Sequence, residues 1–256
     1  PVFNMVDKLS EEPNYSIFYK QLQRFSYPWH NVGRSNQEGY DVYTIRYFNS
    51  ASNCTFTYAQ DGVTTSDALL NFDPAWNRYY QYQAGGGNNY HRDCALILAP
   101  NNDVMTAFVQ SEEARALREK FCVDPDNATW DDFPDATVKS LMDECLRANF
   151  LGFQPSKVAN LKNASNESID GLATSSIKDC FVCGNGIVYG IDVVIVPPDY
   201  TNVLSTLLLD KEEDEENDEG FSVFYRFIDE DSNIPGAAAG YKAYVRSADG
   251  TKYVLF

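Results

Sequence analysis

Residues 184–198 read Gly-Asn-Gly-Ile-Val-Tyr-Gly-Ile-Asp-Val-Val-Ile-Val-Pro-Pro, and no other stretch of this 256-residue chain restricts its fold as strongly. β-Branched side chains favour a pleated strand, and a Pro pair cannot donate to a ladder, so the strand should stop at Pro197. Asn185-Gly186 reads as a tight turn ahead of it, with positive φ at Gly186. A second run, Ala-Leu-Ile-Leu-Ala at 95–99, is stopped by Pro100 and turned by Asn101-Asn102-Asp103. Both read as core β-structure, with Leu96, Ile97, Leu98, Val188, Ile191, Val194 and Val196 expected to be buried.

Around these strands the periodicity changes. Residues 3–25 place Phe3, Val6, Leu9, Ile17, Phe18, Leu22 and Phe25 in a helical rhythm that Pro13 interrupts, which predicts two helical pieces. Residues 40–58 alternate, with Val42, Thr44 and Arg46 against Tyr43, Ile45 and Tyr47, and end near Asp61-Gly62; this predicts a β-hairpin. Residues 104–121 and 136–150 read as helices, the second with Val138, Leu141, Met142, Cys145 and Leu146 on one face and the acidic stretch 131–135 at its positive end. Residues 157–196 return to short strands between polar turns. Helices followed by strands give an α+β class.

The two strand runs together resemble the signature boxes of the fasciclin-like domain, an extracellular adhesion and binding module. Its first box is of the type F-A-P-T-N and its second of the type N-G-V-I-H-x-I-D-x-V-L-x-P. In the second box Asn185, Gly186, Val188, Ile191, Asp192, Val194 and Pro197 all fall in step. The resemblance covers residues 1–30 and 93–200 and leaves 31–92 uncovered. It implies a compact β-sandwich or wedge with packed helices, and it makes 31–92 an insertion carrying the β-hairpin. An aromatic-His pair linked to adhesion in the family has no counterpart, because the matching stretch, Ala-Asn-Phe-Leu-Gly at 148–152, contains no His. Adhesion through that pair is therefore not carried over.

An internal echo extends this reading. Ser-Ile-Phe-Tyr-Lys-Gln-Leu at 16–22 recurs as Ser-Val-Phe-Tyr-Arg-Phe-Ile at 222–228, each copy preceded by acidic residues. A repeat of this length points to whole domains in tandem. The expected organisation is a fasciclin-like domain over 1–205, an acidic linker or helix over 206–219, and the start of a second, incomplete module over 220–256. Seven of the eight residues 212–219 are acidic, a block that repels itself and lacks the alternating ligands and Gly of a calcium loop.

A net charge of −17 opposes nucleic acid and anionic lipid as partners at long range. No run approaches the 18 or so apolar residues that would span a bilayer, and an export signal or anchor is expected outside this stretch of sequence. Cysteines at 54, 94, 122, 145, 180 and 183 are too widely spaced for a staple fold, and none has a His at zinc-finger spacing. They read as buried, inert thiols, with one disulfide open; Cys180-Phe-Val-Cys183 precedes a turn and strand where a redox pair would precede a helix.

Catalytic motifs are thin. Only His30 and His91 exist, neither with a second His or an acid three or four residues away. No Gly-x-Ser-x-Gly elbow or Gly-rich phosphate loop with its Lys occurs, and Gly85-Gly86-Gly87 reads as a loop. Neither a cofactor nor a metal is called for. What stands out is an aromatic cluster in the insertion: Tyr40, Tyr43, Tyr47, Tyr58, Trp76, Tyr79, Tyr80, Tyr82 and Tyr90. Rings with polar handles suit sugar or peptide recognition, and they equally suit packing of the hairpin onto its module. Trp76, Tyr79, Tyr80 and Tyr82 are the expected ligand contacts. The reading is a non-enzymatic adhesion or binding module at the cell surface, outside the cell or in the periplasm. Its partners would be a glycan or protein ligand and neighbouring fasciclin-like modules of the same chain. The alternative is an envelope glycan hydrolase using carboxylates near the aromatic insertion. Five sequons, at Asn14, Asn53, Asn127, Asn163 and Asn166, do not fix the source, while the large insertion and free cysteines resemble a bacterial cell-envelope member.

Overall fold

The computed structural model describes residues 3–49, 69–75, 95–147, 154–163, 166–197 and 200. The fold is α+β. Its first compact unit takes residues 1–105, 134–161 and 170–195; the second takes 106–133, 162–169 and 196–256.

In the first unit, Asn4 caps helix α1 (Met5–Ser10) by accepting from the Asp7 N–H. Pro13 then opens a short 3-10 turn, Pro13–Tyr15, which leads into α2 (Ser16–Gln23). Together they bury Met5, Val6, Leu9, Tyr15, Phe18 and Leu22. Strand β1 (Ser26–His30), helix α3 (Val32–Glu38) and strand β2 (Tyr43–Tyr47) follow. Asn31 caps α3 through the Arg34 N–H and Gly39 ends it at φ 77°, a left-handed position that Gly occupies without Cβ strain.

The main sheet has, among the described strands, the order Leu146–Arg147 (β4), Ala95–Pro100 (β3), Gly186–Ile191 (β6) and Ile177–Cys183 (β5). Strand β3 (Ala95–Pro100) runs parallel to β6 (Gly186–Ile191), from Ala95↔Gly186 to Pro100↔Ile191, so the two sequence boxes lie side by side. Strand β4 (Leu146–Arg147) pairs antiparallel with β3, and β5 (Ile177–Cys183) pairs antiparallel with β6. Every residue of β3 is buried, as a strand covered on both faces requires. Alternation puts Ala95, Ile97, Ala99, Gly186, Val188 and Gly190 on one face. The small residues among them let the N-terminal helices come close: a Cβ on Gly190 would lie 1.9 Å from the Tyr15 hydroxyl, and one on Gly186 2.7 Å from the Met5 sulfur.

After β3, Asn101 caps α4 (Asn102–Val109) by accepting from the Val104 N–H at 3.0 Å. Helix α5 (Arg115–Phe121) is separate from it, interrupted around Gln110-Ser111, so the single helix read over 104–121 is two. The Arg118 guanidinium donates to the Val109 and Ser111 carbonyls and thereby satisfies acceptors that the break frees. The second unit packs Phe108 on Trp130 at 5.7 Å and Trp130 edge-on to Phe133 at 5.5 Å, with Tyr200 beside Phe108.

Helix α6 (Asp135–Cys145) stops five residues short of its sequence reading. Leu146 leaves the helix to pair with Ile97, and 148–150 lie outside the described residues. Six of the seven residues read as core are buried; Val196 is only half-buried, because the strand ends at Ile191, before the Pro pair, and a bend follows at Asp192-Val193. The Asn185-Gly186 turn also differs. The hairpin loop is Gly184-Asn185, between the paired Cys183 and Gly186, and Gly186 is already in the strand at φ 159°. Its Cβ would sit 2.2 Å from the Ala95 carbonyl oxygen, so close backbone approach, not turn geometry, is what demands Gly there.

Candidate functional site

The described part of the aromatic-rich stretch 31–92 is built on the ribbon formed by β1 and β2. Its antiparallel register pairs Ser26↔Tyr47, Pro28↔Ile45 and His30↔Tyr43, so these six residues share one face. At one end that face is core: Tyr47 is fully buried, and Gln23 Nε2 donates to its hydroxyl. At the other it is open, with Tyr43 59%, Ile45 49% and the nearby Tyr40 66% exposed. The His30 ring lies 5.2 Å from that of Tyr43. The opposite face carries Tyr27, stacked on Phe48 at 4.3 Å, and Trp29, under the Arg46 guanidinium at 5.3 Å.

Of the hairpin predicted over 40–58, one strand is seen, Tyr43–Tyr47, and its partner is upstream. β2 pairs with β1 across α3, whereas a second hairpin arm over 50–58 lies outside the described residues. Pro28 hides β1 in the sequence, since Pro argues against a strand except on an edge, and an edge is where it sits in this two-stranded ribbon. Pro28, His30 and Ile45 are thus members of the exposed face that the aromatic count alone misses.

Two polar clamps hold the segment 73–75, one to the ribbon and one to the main sheet. Arg46 Nε donates to Asp73 Oδ2 in a nearly buried ion pair, while Asp73 Oδ1 accepts from the Ala75 N–H at 2.9 Å. Burial pushes the Asp73 carboxyl up and the Arg46 charge opposes it. The second clamp is Asn185, which is buried: its Oδ1 accepts from the Met5 N–H at 2.9 Å and its Nδ2 donates to the Pro74 carbonyl at 2.7 Å. One carboxamide of the second sequence box therefore holds both the start of α1 and the segment leading into Trp76. Trp76 itself, with Tyr79, Tyr80 and Tyr82, lies outside the described residues, as do Tyr58, Tyr90 and His91.

The ribbon brings Ser35, His30 and Asp41 together, a set that invites a hydrolase reading. The geometry opposes it. Ser35 Oγ at 3.0 Å and Asp41 Oδ1 at 3.3 Å both approach the same ring nitrogen, His30 Nε2, whereas a triad needs the acid on the other nitrogen. The Ser35 hydroxyl also donates to the Asn31 carbonyl and accepts from the Val42 N–H, so it closes the α3–β2 connection. What remains at this face is contact chemistry: rings for stacking, with polar atoms at their rim.

The cysteines divide by location. Cys145 is fully buried, and burial raises its thiol well above the ordinary range. Cys180 is exposed, against the expectation of buried thiols, because β5 leaves its outer face open, with Val182 81% exposed. Cys183 turns to the other face, where burial pushes its thiol up to about 11. Three residues along a strand separate Cα atoms by about 10 Å, beyond the roughly 7 Å that a disulfide bridges. Cys54 and Cys94 lie outside the described residues.

Among the described residues no group of three metal-ligating side chains occurs and no helix is long and apolar enough to cross a membrane. No family model, curated protein or solved structure matches this chain.

Proposed function

We propose that this chain is a non-enzymatic adhesion or binding module of the fasciclin-like type. It works outside the cell or in the cell envelope, in a tandem array, with a glycan or protein as its ligand. One observation carries the reading: the two boxes on which the resemblance rests each contain a strand, 95–100 and 186–191, and these two strands pair with each other in parallel. Sequence likeness in two separate segments gains weight when the segments form one structural unit. The finer architecture, a β-sandwich or wedge over 1–205 with an acidic linker over 206–219 and a second module from 220, belongs to the same proposal. Residues 201–256 lie outside the described residues.

The ligand surface is assigned to the insertion, because the signature strands are consumed by core packing and recognition concentrates on segments carried by a rigid scaffold. Tyr40 and Tyr43 add to Trp76, Tyr79, Tyr80 and Tyr82 as contacts. The test is a glycan and extracellular-matrix array probed with the whole chain, followed by the Trp76→Ala/Tyr80→Ala double variant. Attachment should weaken by about 2 kcal/mol or more with the fold intact. Unfolding of the double variant would assign these rings to packing, and unchanged attachment would remove them from the ligand surface.

A further inference from the structure

The sequence carries five Asn-x-Ser/Thr sequons, and the structure separates four of them by what their carboxamides are doing. In the 3-10 turn Pro13–Tyr15, Asn14 is exposed. Its turn is held by another residue, since Asn102 Nδ2 donates to the Pro13 carbonyl and to Ser16 Oγ while Asn102 Oδ1 accepts from the Ile17 N–H. Nothing in that arrangement uses the Asn14 amide. Asn127 is exposed at the end of another 3-10 turn, and its Nδ2 donates to Oδ2 of the exposed Asp124 at 2.8 Å. Held at that one atom and exposed, the Asn127 carboxamide can still turn toward a transferase, which a half-buried carboxamide held at both its oxygen and its nitrogen cannot.

Asn163 and Asn166 stand three residues apart in one turn and differ sharply. Asn163 is half-buried and clamped at both ends of its carboxamide: Oδ1 accepts from the Glu167 N–H at 2.8 Å and Nδ2 faces Glu167 Oε2 at 3.3 Å. Asn166 is exposed at φ 64°, a left-handed conformation that Asn tolerates, and its backbone N–H donates to the Asn163 carbonyl at 2.9 Å, while its carboxamide makes no hydrogen bond among the described residues. Ser168, the hydroxyl of its sequon, is exposed as well. Both Asn163 bonds close over four residues, so the clamp does not wait for distant parts of the chain to fold.

We infer that Asn14, Asn127 and Asn166 are N-linked glycan acceptors and that Asn163 is not. In the transfer, Asn Nδ2 bonds to the anomeric carbon of an oligosaccharide, and that carbon's bond to the pyrophosphate of a lipid-linked donor breaks. The lipid pyrophosphate leaves, the amide gives up one proton, and no electrons are exchanged. The inference rests on the extracellular part of the proposed function and requires a secretory pathway that holds such a donor, in place of the bacterial envelope expected from the sequence. Asn53 lies outside the described residues.

The test is expression of the full chain, led by an export signal, in a secreting eukaryotic host, with site occupancy mapped by release of N-glycans in heavy-oxygen water and mass spectrometry. Asn14, Asn127 and Asn166 should carry glycans; Asn166→Gln should lose one glycan step in electrophoretic mobility, and Asn163→Gln should leave the mobility unchanged. Occupancy of Asn163 equal to that of Asn166, or a secreted folded chain bare at Asn14 and Asn166, would overturn the inference. A chain glycosylated as expected that binds nothing on the arrays would instead count against the adhesion reading alone.

Discussion

The β3–β6 pair and the β1–β2 ribbon are both short two-strand units, yet they are stabilised in opposite ways. β3 is buried along its whole length and meets β6 only after the chain has travelled from Pro100 to Gly186. The ribbon joins neighbours in sequence across one seven-residue helix and leaves much of one face open. Non-local pairing must offset a larger loop-closure entropy, which it does by burying both faces. A local ribbon starts with less to offset, and its open face is free for recognition. Substitutions should therefore be costly in the first and tolerated in the second.

The largest effect is expected at Gly186. A methyl group there would overlap the Ala95 carbonyl on the paired strand and the Met5 sulfur above it. Gly186→Ala should cost about 4 kcal/mol, in the range of severe core overpacking and loss of ladder hydrogen bonds. Denaturant melting gives the value. A loss below about 1 kcal/mol would mean that the two strands are not held in this register.

Asn185→Ala should come next, at about 3 kcal/mol, since it strands the buried Met5 N–H and Pro74 carbonyl together. Hydrogen exchange adds a spatial reading, because amides near residue 75 should lose protection along with that of Met5. If only Met5 responds, the link from the main sheet to the segment around Pro74 is not energetic.

How far these regions can be read in advance follows from the same contrast. The β3 and β6 strands are legible because burial on both faces forces continuous apolar runs, and the break at Pro13 because Pro cannot continue a helix. The end of α6 is not legible, since Leu146 continues the helical periodicity and is drawn out by pairing with Ile97, a partner far away in sequence. The ribbon hides its pairing: Asn31 and Gly39, the start and stop of α3, signal that the chain folds back before β2, but Pro28 masks the strand that precedes them. The Asn185 clamp leaves no trace in sequence beyond the residue itself, because its two partners are backbone groups.

A pH effect reaches both regions. Burial raises the hydroxyl pKa of Tyr15, with its hydrogen bond to Asp179 adding to the shift, and burial likewise raises that of Tyr47 at the closed end of the ribbon. For an acid raised on folding, the native state holds its proton longer than the unfolded chain does. Stability should then be level below pH 10 and fall above it, by about 1.4 kcal/mol per pH unit for Tyr47. Urea melts from pH 8 to 11 on wild type and Tyr47→Phe test this: the variant should show the shallower decline, and equal slopes would mean that Tyr47 reaches water in the native state.

The smallest effect should come from the open face. Tyr43 and Ile45 stand on the ribbon opposite His30 and Pro28, with about half of each side chain in water, so truncation removes little burial and leaves no cavity. Tyr43→Ser/Ile45→Ser should change stability by no more than about 0.5 kcal/mol each, the ordinary range for surface substitutions. The same pair should weaken attachment to whatever ligand the arrays identify, because exposed rings without a role in the core have their energetic consequence at a partner. A loss of several kcal/mol in urea melts would show that this face is covered in the whole protein, and the ribbon would then belong with the buried sheet instead of standing in contrast to it.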